Sequence, residues 1–216
     1  MFFDWEVIMR EAMDALYSAK TFMTGHFVYA SGMHGEDYIN KDAIYPHTDK
    51  ISALCRLMAE NFKREWIEVV VGPAMGGIVL SQWMAHHLSE MNGREIMSVY
   101  AEKEKGHFIF KRDYSKIVAR KNVLIVEDII NTGKTVKSVV DLVRSVDGRV
   151  FGVSAICNRG DATKESLGVP ELISLVNTKL ISWPAEECPL CQKGVPVNVE
   201  FGKGRYFLNG GIIPID

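Results

Sequence analysis

Residues 121–135, with the sequence KNVLIVEDIINTGKT, constrain the fold of this chain more than any other stretch. Residues 123–126 form a short apolar run of branched side chains, which predicts a strand buried on both faces. Two carboxylates, Glu127 and Asp128, follow at the predicted end of that strand, and a hydroxyl-rich loop with one glycine comes next. From residue 136 onward, valines recur at helical spacing. This order predicts a strand, a ligand-binding loop and a helix within a parallel α/β sheet.

The loop and the helix start are suited to a phosphate group. Free N–H groups at a helix N-terminus, with the helix dipole behind them, favour an anion. Gly133 permits a tight turn close to the anion, while Thr132 and Thr135 add hydroxyl donors. The carboxylates of Glu127 and Asp128 are better suited to accept hydrogen bonds from hydroxyl groups or to help hold Mg²⁺. The stretch therefore predicts a site for a phosphorylated sugar.

A nucleotide-binding P-loop is excluded by spacing. Residues 133–135, Gly-Lys-Thr, match the end of the pattern G-x-x-x-x-G-K-[ST], but its first glycine would fall at Asp128. A generic buried strand followed by a capped helix remains the alternative from the residues alone.

The same stretch resembles the phosphoribosyl-pyrophosphate (PRPP) signature of the type I phosphoribosyltransferases, in which an apolar strand, two acidic residues and a T-G-x-T-like loop follow one another. The resemblance implies that Glu127 and Asp128 hold the ribose hydroxyls and that the loop holds the 5′-phosphate. The implied phosphate-binding residues are Ile129, Ile130, Asn131, Thr132, Gly133, Lys134 and Thr135.

A second strand, glycine loop and helix are predicted at residues 68–88, which places a second anion site at the same sheet edge. The loop at residues 72–77 resembles the pyrophosphate loop of orotate phosphoribosyltransferases. The resemblance implies PRPP contacts from Ala74, Met75, Gly76 and Gly77. Some of those enzymes have a lysine where Gly76 stands, so that contact is expected to be missing or supplied from elsewhere. An ordinary turn is the alternative.

Residues 102–112, EKEKGHFIFKR, are highly charged and poorly periodic, which alone predicts a solvated loop. Their position resembles the mobile lid of the family, whose basic residues reach the departing pyrophosphate, often in the neighbouring subunit of a homodimer. The resemblance implies four catalytic residues, which are Lys103, Lys105, His107 and Asp128, with Lys111 and Arg112 as second candidates. The orotate lid usually begins with an arginine, where this chain has Glu102.

Two regions bear on the base. Residues 27–32 resemble the F-x-x-x-S-G turn of the hood in orotate phosphoribosyltransferases, which implies base contacts from Phe27, Ser31 and Gly32. Those enzymes often carry a lysine where this chain has Ala30, and Lys41 is a candidate substitute for that charge.

Arg159 follows the strand predicted at residues 149–156, where orotate enzymes bind the carboxylate of the base. A bidentate pair of this kind is one that arginine makes well. Strand-end arginines are common, yet this one favours orotate over a purine.

The composition limits the remaining possibilities. With 216 residues, 47% of them hydrophobic and 24% charged, the chain is expected to form one domain. A net charge of −2 gives no electrostatic case for binding nucleic acid or a membrane. No apolar run approaches a membrane span, and acidic residues interrupt the N-terminal stretch, so a cytoplasmic location is expected.

Four cysteines are too few for a disulfide scaffold in a chain of this size. Cys188 and Cys191 form a single C-x-x-C, and neither a second pair nor histidines follow nearby in sequence. We therefore predict a structural or redox-inert pair and no metal ligands, with a zinc half-site, open to sharing across a dimer, as the alternative.

Strands and helices alternate from residue 49 to 177, which predicts a central parallel sheet flanked by helices. Residues 5–19 predict an amphipathic helix and residues 22–42 two short strands, so residues 1–45, with the C-terminal tail, are expected to form a small hood. The overall resemblance implies transfer of phosphoribose from PRPP to orotate, with Mg²⁺ as cofactor. The alternatives are another base, such as a purine, or a regulator that binds PRPP without turnover.

Overall fold

The computed structural model describes residues 5–211. The chain begins with helix α1 (Trp5–Ser18), followed by two antiparallel strands, β1 (Phe22–Val28) and β2 (His34–Ile39), and by helix α2 (Thr48–Glu60). The helix and both strands were predicted from the sequence. Residues 1–4 of the predicted hood, and residues 212–216 of the tail, lie outside the described residues.

The body of the molecule is a six-stranded sheet. Its strands are β3 (Val69–Pro73), β4 (Met97–Glu104), β5 (His107–Ile109), β6 (Asn122–Ile130), β7 (Arg149–Asn158) and β8 (Leu172–Asn177). They lie in the order β5-β4-β3-β6-β7-β8, and every neighbouring pair is parallel except β4 and β5. The prediction of a central parallel sheet is confirmed.

Helices cover both faces of this sheet, since alternate residues of a strand point to opposite sides. On one face, Leu124 and Val126 belong to a buried cluster with side chains from α2 and from α3 (Gly76–Asn92). On the other face, Val123 and Ile125 pack with buried valines of α5 (Lys134–Ser145). The apolar run in β6 is thus buried on both faces, as predicted. Three shorter helices follow in the connections and the tail, namely α4 (Tyr114–Val118), α6 (Lys164–Leu167) and α7 (Pro189–Gln192).

The C-terminal tail adds a strand to the small sheet of β1 and β2, and this sheet is called the hood below. Strand β9 (Ser182–Trp183) pairs with the start of β2, with Trp183 opposite His34, and forms a three-stranded sheet in the order β1-β2-β9. The last helix, α8 (Gly204–Leu208), contacts β1. This part of the tail is a strand because the edge of β2 supplies its hydrogen-bonding partner. Within residues 5–211, no helix has the length and apolar character needed to cross a bilayer.

Two strands extend beyond their predicted ends. The acidic pair was predicted to follow the central strand, but β6 continues to Ile130, so Glu127 and Asp128 lie within it. Likewise β4 runs to Glu104 and turns back into β5 through Lys105 and Gly106, both with positive φ. Two such residues form the turn of a two-residue hairpin, so the predicted solvated loop is a β-hairpin at this point.

Candidate active site

The two predicted anion-binding loops lie side by side, because β3 and β6 are adjacent and parallel. Together they line a cavity of about 680 Å³ at the carboxyl edge of the sheet. All predicted PRPP-binding residues but one line it, namely Ala74, Met75, Gly76, Glu127, Asp128, Ile129, Ile130, Asn131, Thr132, Gly133, Lys134 and Thr135. The exception is Gly77, which is buried in the first turn of α3.

Asp128 is held in place by residues that lie far away in sequence. Its Oδ2 accepts a hydrogen bond of 2.6 Å from the Tyr45 hydroxyl and lies 3.1 Å from Lys41 Nζ. Its Oδ1 accepts from the backbone N–H of Ile129 at 2.6 Å. The side chain is only 3% exposed. These donors compensate for burying a carboxylate in a strand and fix its orientation toward the cavity.

Glu127 differs from its neighbour in its electrostatic environment. It is buried, and its Oε1 accepts a hydrogen bond of 3.0 Å from the backbone N–H of Asp128. Burial first, and then the adjacent charge of Asp128, raise the pKa of Glu127 well above its ordinary value. Glu127 is therefore more easily protonated than an ordinary glutamate.

The two residues whose side chains contact Asp128, Tyr45 and Lys41, respond to its charge. Burial and then the Asp128 carboxylate raise the pKa of the Tyr45 hydroxyl, so that it stays a hydrogen-bond donor. For Lys41, burial alone would lower the pKa, but the Asp128 charge and hydrogen bond outweigh it and raise the pKa. Lys41 was a candidate cation for the base, yet its ammonium group lies against the acidic pair.

Gly76 stands where some orotate enzymes have a lysine, and the structure gives a reason. A Cβ atom on Gly76 would lie 2.1 Å from the Tyr45 hydroxyl and 2.3 Å from Asp128 Oδ2. Any side chain would therefore displace this hydrogen bond. The cavity obtains cations from other positions instead, because Lys41, Lys103 and Lys134 all line it.

The predicted phosphate-binding loop leads into the N-terminus of α5. Gly133 precedes the helix with φ 75° and ψ −2°, a left-handed conformation, and provides no capping side chain. Lys134 N–H makes only a long contact of 3.5 Å to Thr132 Oγ1. The hydroxyl-bearing residues Thr132 and Thr135 are exposed at the cavity wall. This arrangement leaves amide and hydroxyl donors available to an anion.

The hairpin of β4 and β5 separates the candidate cations. Lys103 lines the main cavity, whereas Lys105 and His107 are exposed at the hairpin tip. Lys111 Nζ lies 3.3 Å from Glu102, and Arg112 Nη1 also pairs with Glu102. The unexpected glutamate thus binds both second candidates. Within residues 5–211, Lys103 makes no ion pair, and it is the one cation among the lid candidates that lines this cavity.

A second cavity, of about 560 Å³, adjoins the first and shares Ala30, Asn131 and Thr132 with it. Arg159 lines this cavity; its Nε donates to Asn131 Oδ1, and its guanidinium lies 5.8 Å from the centre of the Tyr29 ring. Within the described residues, its two terminal nitrogens have no hydrogen-bond partner. A planar anion entering this cavity would therefore meet an available guanidinium edge.

The structure brings only part of the predicted hood turn to this cavity. Ser31 lines it, but Gly32 shapes the turn, with its N–H donating to Tyr29 O at 2.9 Å. Phe27 is buried inside the hood and stacked on Tyr38 at 5.1 Å, so the structure does not bring it to this second cavity. The F-x-x-x-S-G pattern does coincide with a turn, but the pattern does not indicate which of its side chains point toward the cavity.

Three aromatic residues of the site were not predicted from the sequence. Tyr29 and Phe108 line the cavities, and Tyr45 holds Asp128. Burial raises the pKa of the Tyr29 hydroxyl, with the Arg159 charge acting in the opposite direction. Tyr29 stands two residues before Ser31 in the hood turn, which was its available signal. Nothing in sequence connects Tyr45 with Asp128.

Residues 40–188 match the family model described as the phosphoribosyl transferase domain. This match spans more than half of the chain, and the chain belongs to the phosphoribosyltransferase family, as predicted.

Relatives within the family are named orotate phosphoribosyltransferase. The chain is 37% identical over 173 residues to the orotate phosphoribosyltransferase of Caldanaerobacter subterraneus subsp. tengcongensis, covering 80% of this chain and 86% of the relative. It is 34% identical over 175 residues to that of Caldicellulosiruptor saccharolyticus, covering 81% and 87%.

A solved structure of Mycobacterium tuberculosis orotate phosphoribosyltransferase with Fe(III) dicitrate superposes with a TM-score of 0.63. It has 23% identity and covers 79% of this chain and 95% of that one. The structure of the same enzyme with PRPP gives a TM-score of 0.57 and 22% identity, covering 77% and 88%. These likenesses establish the fold.

Proposed function

We propose that this protein transfers the 5-phosphoribosyl group from PRPP to orotate and releases orotidine 5′-monophosphate and pyrophosphate. The observation that carries the proposal is the pair of adjoining cavities at one sheet edge. One cavity combines two anion loops with an acidic pair, and the other presents Arg159 beneath the hood. The curated relatives named orotate phosphoribosyltransferase support the same reaction.

The shape of PRPP fits the distribution of donors and acceptors in the main cavity. The ribose hydroxyls donate to the acidic pair, and the 5′-phosphate accepts from residues 131–135 at the start of α5. The pyrophosphate lies along residues 74–76, within reach of Lys103. Because Asp128 already accepts bonds from Lys41 and Tyr45, we expect ribose binding to replace the Lys41 contact, since the Lys41 side chain is 48% exposed.

The reaction is a substitution at ribose C1. The bond from C1 to the pyrophosphate oxygen breaks, and the pyrophosphate leaves with that electron pair. A ring nitrogen of orotate supplies the pair for the new C1–N bond and releases its proton to solvent. Positive charge develops on the ribose as the leaving group departs, close to the negative charge of the acidic pair. Lysines stabilise the departing pyrophosphate, and the positioning of both substrates supplies much of the remaining rate enhancement.

Arg159 provides the selectivity for the base. Its guanidinium forms two parallel hydrogen bonds with the carboxylate of orotate, which a purine lacks. Tyr29 and Ser31, from the turn between β1 and β2, line the same cavity. A purine would leave this arginine without an anionic partner.

Mg²⁺ is the proposed cofactor, and the residues present fit it. The carboxylate, hydroxyl and carbonyl oxygens lining the cavity are the hard ligands that Mg²⁺ prefers. Asp128 already accepts several hydrogen bonds, so substrate oxygens are expected to provide most of the ligands. When bound, Mg²⁺ would neutralise charge on the pyrophosphate.

The proposal includes a homodimer, supported by the exposure of the hairpin tip. Lys105 and His107 do not line the cavity of their own chain, so we propose that they serve the cavity of a second copy. A cytoplasmic location is also proposed, supported by the four free cysteines, which suit a reducing compartment.

The decisive test is a PRPP- and Mg²⁺-dependent assay with orotate, adenine, hypoxanthine and uracil in parallel. We expect turnover of orotate alone. Turnover of a purine without orotate would refute the substrate assignment, and PRPP binding without turnover of any base would favour a regulator.

The Arg159→Lys variant tests the base site. We expect the KM for orotate to rise roughly tenfold or more, because one charged bidentate contact is lost, while the KM for PRPP stays near wild type. Arg149→Lys is the matched control, since Arg149 is exposed at the opposite end of the same strand. An unchanged orotate KM in Arg159→Lys would remove Arg159 from the base site.

A further inference from the structure

A second group of chemically reactive side chains lies outside both cavities. It consists of His26 in β1, His34 at the start of β2, Cys188 just before α7, and Cys191 within α7. Their ligand atoms all lie within 4.8 Å of one another. Three of the four residues are buried and Cys191 is partly buried. Residues that are distant in sequence therefore converge on one point inside the hood.

Four of the six separations between these atoms match the edges of a zinc coordination tetrahedron. Zinc–nitrogen and zinc–sulfur bonds of about 2.0 Å and 2.3 Å imply edges of roughly 3.3 Å between two nitrogens and 3.5 Å between nitrogen and sulfur. His26 Nε2 lies 2.9 Å from His34 Nδ1, 3.6 Å from Cys188 Sγ and 3.7 Å from Cys191 Sγ. Cys191 Sγ lies 3.4 Å from His34 Nδ1. Each separation agrees with its ideal within a few tenths of an ångström.

The surroundings of His26 orient it as a ligand. Its Nδ1 lies 2.7 Å from the carbonyl oxygen of Val195, so Nδ1–H donates there and Nε2 presents its lone pair to the cluster. A metal-bound histidine commonly has such a carbonyl partner on its other nitrogen. His34 turns Nδ1 toward the same point, and its ring meets Phe207 edge-on at 4.6 Å. Neighbouring residues thus hold each imidazole with one ring nitrogen directed toward the cluster.

We propose that His26, His34, Cys188 and Cys191 bind one Zn²⁺ ion in a closed, structural His₂Cys₂ site. Two thiolates and two imidazoles are the donors that Zn²⁺ prefers, and the C-x-x-C spacing is common in structural zinc sites. Four protein ligands leave no open position for a substrate, which indicates structural binding and no catalytic role for the metal. The cysteine pair was predicted to bind no metal because no histidine follows it in sequence; the hood strands supply the histidines instead.

The ion would join the hood strands to the C-terminal tail, since 162 positions separate Cys188 from His26. His26 and His34 also flank residues 27–33 in sequence. Tyr29, Ala30 and Ser31 of this segment line the proposed base cavity. Zinc would therefore fix the position of that segment. This consequence rests on the proposed function, whereas zinc binding itself does not.

The first experiment measures zinc in the untagged protein, purified without chelator, by mass spectrometry of the metal content. We expect about one zinc ion per chain. Replacing zinc with Co²⁺ should give the visible absorption of tetrahedral cobalt together with a thiolate charge-transfer band. Protein without zinc and without this cobalt spectrum would overturn the proposal, as would a Cys188–Cys191 disulfide in the metal-free native protein.

Variants then assign the ligands. Cys191→Ser and His34→Gln should each lose most of the bound zinc, while Cys55→Ala and His86→Gln should retain it. Cys55 is a buried thiol elsewhere, and His86 belongs to a surface group with His87 and Glu90, so the two variants control for loss of a thiol and of an imidazole. If a ligand variant does not fold, wild-type protein is titrated with a zinc chelator instead. We then expect the amount of zinc released to be proportional to the loss of hood structure. Full zinc content in both ligand variants would refute the assignment.

A kinetic measurement addresses the hood. After chelation, we expect the KM for orotate to rise several-fold and the KM for PRPP to change little. Zinc present without this effect would leave the metal site established and refute its influence on the base cavity.

Discussion

The packing of Gly76 against Tyr45 and Asp128 leads to a quantitative prediction. In Gly76→Ala, the new Cβ would lie 2.1 Å from the Tyr45 hydroxyl and 2.3 Å from Asp128 Oδ2, so the hydrogen bond between them must break. A hydrogen bond to a charged group contributes about 1.5–3 kcal/mol. We therefore expect the free energy of unfolding to fall by about that amount. Tyr45→Phe removes the same bond and should cost a similar amount.

The double variant distinguishes this explanation from a general disturbance of the loop. Once Tyr45→Phe has removed the hydroxyl, Gly76→Ala has no hydrogen bond left to break, and only the overlap of its Cβ with Asp128 Oδ2 remains. The double variant should therefore lose less stability than the sum of the two single variants, with a coupling of about 1.5–3 kcal/mol between them. Urea unfolding of the four proteins measures this coupling. Met75→Ala is the control, because Met75 is 81% exposed and its loss should change stability by less than about 0.5 kcal/mol.

Additive effects of Gly76→Ala and Tyr45→Phe would refute the reasoning. A Gly76→Ala protein with wild-type stability would do so more directly, because it would show that the loop moves away from Asp128 at no cost.

Other residues of the site give further expected results. Because burial and the Asp128 charge raise the pKa of Glu127, its proton remains bound in the folded state at pH values where the unfolded chain releases it, so wild-type stability falls as pH rises from 4.5 toward the raised pKa. Glu127→Gln has no titrating group at this position, so its free energy of unfolding relative to wild type, measured in urea, should rise over that pH window. A relative value that falls with rising pH would contradict the direction of the pKa shift. Asp128→Asn should lower kcat/KM by roughly 10²–10³-fold with the circular dichroism spectrum unchanged, and near wild-type activity would exclude its ribose role. Lys103→Ala should lower kcat roughly a hundredfold, whereas Lys111→Ala, which removes a Glu102 partner, should have a much smaller effect, and the reverse order would reassign the leaving-group cation.

The local sequence predicted the elements that carry the site, because strand, loop and helix signals lie within a few residues of each other. The valine spacing after residue 136 identified α5, and the apolar run identified the core of β6. The predicted end of β6 was wrong because Glu127 and Asp128 are polar, and polar residues normally mark the end of a buried strand. Their burial depends on Tyr45 and Lys41, whose contacts no local pattern encodes.

The same limit applies to the hairpin and to the cysteine pair. Glu102 was the largest mismatch with the family lid, but in space it binds Lys111 and Arg112 across the hairpin. Cys188 and Cys191 lacked histidines nearby in sequence, although β1 and β2 bring two of them within hydrogen-bonding distance. In both cases the deciding partner lies on another strand, and strand pairing is a long-range property of the chain.

The pairing of β9 with β2 has a consequence for synthesis of the protein on the ribosome. The strands β1 and β2 are made before the six strands of the large sheet, and β9 is made after them. During elongation, the edge of β2 therefore has no partner, while the large sheet assembles from the segments between them. Contacts that span most of a sequence form late and slowly. The hood is thus expected to close last, so that a chain truncated before Ser182 would retain the phosphate-binding loops but lack a finished cover over them.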